Sequence, residues 1–445
     1  MTSWKIPARL STLLAHLRAS LDARLQPVFE LLFIGLLVTR ERRRTATSWF
    51  RAVRLGREFQ RGYRAIHAVG RDHAVMSTQL LLDVQRLPVL ASAERWCFSL
   101  DDTPSARYGP HIEGAGRHHN PTPGPANHAW VYGHVWVTLG CLVRHPQWGT
   151  LSLPVRSELY VRATDVPKLP KDYQWDFRTK LEQAAALLAW LGCWLGAKGK
   201  SLWVVADGAY AKQEVLQAAR QHGLIVVSRL RKDAALRSLP EPTPPGKRGR
   251  KRKYGTKVIS LAKRAGQKHG WVTEELVLYG KKVTKTYKTF LATWAPAGGV
   301  IRVVLVKELD GWRAYFCTDP NATPAEILEQ VADRNSLEQT FKAVKEIWGA
   351  GQQQLRNLYA NIGAWHLNLW AYTVTELWAW EQPEEQLVDR SASPWDDEPR
   401  RPSHLDRRKA LLATILREEF RAAQTGLGQK RKLRDLAERL LELAA

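Results

Sequence analysis

The sequence predicts a mixed α/β protein: three strand-like runs stand in succession, helix and strand then alternate, and a second block of strands precedes a strongly capped helix. The runs at 95–100, 130–143 and 149–161 are short, apolar and rich in β-branched and aromatic residues, as strands require. Leucines and alanines at helical spacing over 176–195 predict a helix. The segment LWVVA at 202–206 predicts a buried strand ending at Asp207, followed by a helix over 211–222 and a strand over 224–231. Residues 238–257 are crowded with Pro, Gly, Lys and Arg and read as a linker. Strand candidates resume at 271–278, 283–293, 300–307 and 313–318, with Asp310 and Gly311 as a hairpin turn. Thr323 as N-cap, Pro324 at the first helical position and Glu326 completing a capping box then start a helix that should reach about Ile347. Gly349 and Gly351 end it, and a second apolar helix covers 355–380.

This order divides the chain into five regions. They are a basic helical region over 1–90, the first part of the α/β core over 91–237, and a basic linker with a β-rich insertion over 238–322. The second part of the core follows over 323–381, and a linker with basic C-terminal helices occupies 382–445.

Charge narrows the function. Lys and Arg total 67 against 43 Asp and Glu, a net charge of +24, so the natural partner is a polyanion. An anionic membrane would also satisfy that balance, but no apolar run approaches the roughly 18 residues of a membrane span. The stretch 28–38 is short, carries Glu30 and reads as a core helix; too many residues precede it for a signal peptide. Cys97, Cys141, Cys193 and Cys317 form no zinc-binding spacing and suit a reducing cytoplasm. In the first ninety residues Arg42, Arg43 and Arg44 head a series of arginines at near-helical spacing; a solvated face would explain them, but their density favours phosphate contact.

Three carboxylates stand where rigid elements would present them: Asp102 after the first strand, Asp207 at the end of LWVVA, and Glu338 inside the capped helix. Oxygen ligands from separate elements suit two Mg²⁺ ions, with Mn²⁺ as a substitute. Each acid alone has an ordinary reading as a turn, cap or salt-bridge residue. Arg334, Glu338 and Lys345 share one side of their helix, with Val331 beside them, so Arg334 and Lys345 can hold phosphates flanking a scissile bond; a structural salt-bridge ladder is the plainer alternative. Asp101 competes with Asp102, and strand alternation allows only one of the two to face inward.

The motifs DDT at 101–103, ADGAY at 206–210 and R-x-x-x-E-x-x-x-x-x-x-K from Arg334 to Lys345 resemble the DDE transposases of bacterial insertion sequences, as do VSRLRKDAAL at 227–236 and FCTDP at 316–320. The resemblance spans about 95–375. Its closest branch carries a tyrosine-arginine-glutamate-lysine signature and a β-rich insertion, although Val331 stands here in the tyrosine's place. It implies an RNase H-like core, with Asp102, Asp207 and Glu338 as metal ligands and Arg334 and Lys345 as the basic signature residues. Asp102 is preferred over Asp101 because a threonine commonly follows the family's first acid, as Thr103 does here.

The segment 246–253 (GKRGRKRK) resembles an AT-hook, in which Lys247, Arg248, Arg250, Lys251 and Arg252 would enter a minor groove; a basic loop touching phosphates is the alternative. Similar transposases stack a flipped base on an aromatic residue of the insertion, for which Trp294 and Trp312 are candidates. The expectation is a bacterial, cytoplasmic, nucleoid-associated homodimer that cleaves terminal inverted repeats and joins their 3′ hydroxyls to target DNA. Its rivals are an idle DNA-binding descendant and a nuclease without strand transfer.

Overall fold

The computed structural model describes residues 4–39, 41, 43–119, 129–241, 252–391, 393, 395–397, 399–424 and 428–444. The chain opens with helices α1 (Ala8–Arg18), α2 (Gln26–Val38), α3 (Ala46–Ala52), α4 (Phe59–Gln85) and α5 (Pro88–Ala91). Strands β1 (Arg95–Ala106), β2 (Gly116–His119), β3 (Trp130–His145) and β4 (Gly149–Tyr160) follow, then α6 (Lys180–Leu195), β5 (Ser201–Ala206), α7 (Gln213–Gln221) and β6 (Leu224–Leu230). Next come β7 (Leu236–Arg237), β8 (Val258–Ile259), α8 (Leu261–Gly266), β9 (Val272–Leu278), β10 (Lys281–Trp294), β11 (Gly299–Glu308) and β12 (Gly311–Cys317). Helices α9 (Pro324–Asp333), α10 (Asn335–Glu346), α11 (Leu358–Ala379), α12 (Glu384–Leu387), α13 (His404–Gln424) and α14 (Gln429–Ala444) complete it.

The mixed α/β expectation holds, and the sheet has the RNase H-like order. Strand β1 lies between antiparallel β3 and parallel β5, β4 pairs with β3, and β6 runs parallel to β5. Strands β9 to β12 then continue this sheet: β12 pairs antiparallel with β6 at Ala314–Leu230 through Cys317–Val227, and β11, β10 and β9 follow. Twelve strands among the described residues thus share one sheet. The β11–β12 turn is Leu309–Asp310 rather than Asp310–Gly311, because Glu308 pairs with Gly311.

The helix signals were accurate. Thr323 and Glu326 form the capping box of α9, and Arg334 keeps helical dihedrals, so α9 runs into α10 almost without a break. The segment 28–38 is the buried part of α2, and among the described residues no helix is long and apolar enough to cross a membrane.

One apolar core runs from Leu10 and Leu14 of α1, through Phe98 and Leu100 of β1, to Trp365 and Trp370 of α11. This cluster holds residues from both sides of residue 90. Helices α4 and α11 touch backbone to backbone: a Cβ at Gly70 would lie 1.7 Å from the Tyr359 carbonyl oxygen, and one at Gly363 would lie 1.9 Å from that of Ile66. The C-terminal helices are held by charge. Glu376 of α11, fully buried, accepts from Arg407 of α13 at 3.0 Å and bonds His404.

Two stability measurements follow. Gly363→Ala should cost about 1–3 kcal/mol or more by forcing α4 and α11 apart. Glu376→Ala should cost about 3–5 kcal/mol, because it strands the buried Arg407 without a counter-charge. Denaturant unfolding midpoints check both, and wild-type midpoints would contradict them.

Candidate active site

Strand β1 presents two acids to two environments. Asp102 faces α6, where its carboxylate accepts from Lys180 Nζ at 2.7 Å and from the Tyr210 hydroxyl at 2.8 Å. Asp101 faces the other way, towards α10, and binds the Arg334 guanidinium. The other arm of that guanidinium donates to Glu338 Oε1 at 2.9 Å. The same face of β1 continues with Thr103, whose hydroxyl accepts from Lys345 Nζ at 2.6 Å.

Helix α10 lies here because its other side is apolar. Leu337, Phe341 and Val344 are buried, and the Thr340 hydroxyl bonds the Ser152 carbonyl of β4 at 3.0 Å. Helix α9 is pinned as well: Glu326 pairs with Arg95 of β1, and Asp333 with Arg144 of β3 and Thr150 of β4. Val331, in the place of the signature tyrosine, packs against the apolar side of that contact.

Asp207 ends β5 and caps the short turn Gly208–Tyr210, its carboxylate accepting from the Ala209 N–H at 2.9 Å. Burial pushes the Asp101 carboxyl up to about 7, and the charges of Asp102 and Asp207 push the same way against the pull of Arg334. Burial also lifts the Tyr210 phenol far above its usual range, with Asp102, Asp101 and Asp207 all adding. The three aspartates thus share one electrostatic neighbourhood. Lys345 is pulled down to about 8 by burial.

The expected trio Asp102, Asp207 and Glu338 is only partly brought together. Glu338 is linked through Arg334 to Asp101, whereas Asp102 is engaged on the opposite face with Lys180 and Tyr210. Among the described residues no group of three or more metal-binding side chains stands at coordinating distance. The donor set nevertheless suits a hard divalent cation: carboxylate oxygens from β1, the end of β5 and α10, two of them, on Asp101 and Glu338, bonded to one guanidinium that carries compensating positive charge. Sequence reasoning missed Lys180 and Tyr210, although Tyr210 stands inside the quoted ADGAY motif.

The remaining expected contacts divide. Arg334 and Lys345 are both turned onto β1. Arg43 and Arg252 are exposed, but Arg44 is half-buried: its N–H donates to Gln352, its carbonyl accepts from Gln353, and its Nη1 has no partner among the described residues. Arg42, Lys247, Arg248, Arg250 and Lys251 lie outside the described residues. Trp294 is corrected. It is 8% exposed and packs edge-on against Phe316 at 5.1 Å, which leaves no ring face for a base. Trp312 is half-buried, with the Lys232 ammonium 5.0 Å over its ring.

Because native Asp101 holds a proton that the unfolded chain releases between about pH 4 and 7, stability falls as pH rises through that window. Asp101→Asn should therefore raise the melting temperature of metal-free protein at pH 8 and change it little near pH 4. Thermal scans at both values check this, and equal shifts at the two would contradict it.

A family model described as DDE superfamily endonuclease matches residues 14–287, a span that contains Asp101, Asp102 and Asp207 and ends before Glu338. No curated protein matches the chain.

Proposed function

We propose that this chain, which belongs to the DDE superfamily of endonucleases, is a DNA transposase that cuts at terminal inverted repeats and joins the freed 3′ hydroxyls to target DNA. One observation carries the reading. Helix α10 and the residue leading into it bring Glu338 and Arg334 against Asp101 on β1, next to the parallel strand β5, which Asp207 directly follows. The net charge of +24 supports DNA as the substrate.

In this reading Asp101, Asp207 and Glu338 hold the divalent ions, and Asp101 replaces Asp102 as the first ligand. Asp102 already has a cation in Lys180 and a donor in Tyr210, and its role is to brace the start of α6 against β1. Two bound Mg²⁺ ions, or Mn²⁺ in their place, would supply Lewis acidity for the attacking and leaving oxygens of a phosphodiester. Asp207 is oriented beforehand by its turn, which fixes its carboxylate before any cation arrives. Arg334 serves as the counter-charge of Asp101 and Glu338 in metal-free protein, and turns to a DNA phosphate when those carboxylates take cations. Lys345, short of a carboxylate partner among the described residues, holds a second phosphate. No side chain attacks the substrate, so no covalent protein–DNA intermediate forms. A homodimer would hold the two ends of the element together.

The test is cleavage and strand transfer on a labelled fragment bearing the element's own ends, with Mg²⁺ or Mn²⁺. Asp207→Asn and Glu338→Gln should bind the fragment as wild type does and cut it no faster than background. Asp101→Asn should behave like them, while Asp102→Asn should stay within about tenfold of wild type, since it removes one part-exposed ion pair. Wild-type cutting by Asp101→Asn would return the first position to Asp102. Binding without cutting by the wild type would remove the transposase reading.

A further inference from the structure

Beyond Thr103 the inward face of β1 runs on through Ser105 to Arg107 and into a cavity of about 1170 Å³. Lys345 stands at its near end, Arg43 and Arg356 are exposed on its walls, and Tyr108 projects with 81% of its surface exposed. A second cavity of about 810 Å³ shares the segment 109–112 with it and adds Arg117 and Arg162. Together they make a basic groove that begins beside the acids of β1 and leads away from them.

Two cations of this groove, Arg107 and Lys345, are unusual in what they lack, whereas Arg162 is paired with Asp165. Arg107 is 5% exposed, donating through Nε to His134 at 3.2 Å and through Nη1 to the carbonyl of Gly351. Neither partner is an anion, since burial pulls the His134 imidazole down to about 3 and so keeps it neutral. Burial pulls Arg107 down to about 10, and no carboxylate is paired with it among the described residues. Lys345 is half-buried and has a hydroxyl partner alone among the described residues. A cation withdrawn from water without an anion is costly, and a fold keeps one buried and one half-buried on a single cavity wall when a ligand brings the missing negative charge. The arrangement is also made deliberately: Gly351, at φ +96°, turns its carbonyl to Arg107 in a backbone conformation that favours glycine.

We propose that this groove binds a single strand of DNA, with its phosphates on Lys345, Arg107 and Arg356 and a base stacked on Tyr108. A duplex keeps its phosphates on a broad cylinder and its bases stacked inside. Only an unpaired strand brings phosphates to a recessed arginine and a base face to an exposed ring. The proposal rests on the transposase reading, because it takes the strand to be the one leading away from the cut. It moves the stacking residue from Trp294 and Trp312 to Tyr108.

The experiment uses the full chain in EDTA, so that binding is measured without cutting. Fluorescence anisotropy compares a fluorescein-labelled oligo-dT with a blunt duplex of the same length. Tyr108→Ala should weaken oligo-dT binding roughly tenfold and leave duplex binding unchanged. Arg356→Ala should weaken it too and lower the slope of log affinity against log salt by about 0.7. An oligonucleotide carrying 5-iododeoxyuridine should photo-crosslink to the peptide that contains Tyr108. Wild-type oligo-dT affinity in Tyr108→Ala, or crosslinks that avoid that peptide, would overturn the proposal. Metal-dependent cutting by wild type alongside such a result removes the groove and keeps the transposase. Tyr108-dependent binding by a chain that cuts nothing keeps the groove as a single-strand site and removes the transposase.

Discussion

Arg334 sits where two distant halves of the chain meet, its guanidinium divided between Asp101 of β1 and Glu338 of its own helix. Without that shared cation, two carboxylates from segments more than two hundred residues apart would face each other across a half-buried gap, and their repulsion would push α10 off the sheet. The apolar side of α10 supplies the force that presses it down, while Arg334 and Lys345 decide where along β1 it settles. The same contact explains the raised Asp101 carboxyl. Helix α10 buries it, and one guanidinium offsets only part of the resulting cost.

Much of this was legible in the chain. Local signals had already located the principal strands, the capping box at Thr323 and the buried segment of α2, because each depends on residues within a few positions of one another. The candidate acids were legible as a set, and so was the fact that Asp101 and Asp102 face opposite ways. Which of them meets Glu338 was not. Alternation separates the two faces of a strand but does not say which face a helix two hundred residues later will cover, and the threonine that favoured Asp102 follows both candidates closely.

Long-range pairing hid other features in the same way. The insertion's strands were visible, but their bonding to β6 depends on a register that no local pattern encodes. The burial of Trp294 against Phe316 follows from that register, as β10 is three strands in from β6. Tyr108 drew no notice because one tyrosine in a polar run has no sequence signature. Its meaning comes from Arg107 beside it and from a loop contributed by residues 351–356.

The pairing of β6 with β12 has a consequence for how such a chain can change over time. A module that is merely tethered can be lost or exchanged between relatives and leave its host intact. Here, excising the strands β9 to β12 would strip β6 of its antiparallel neighbour and leave an open row of peptide groups, ready to pair with another molecule, one strand away from the strand that Asp207 follows. The loops between these strands can lengthen, shorten or alter their surface, but β12 has become part of the sheet that carries β5 and β6.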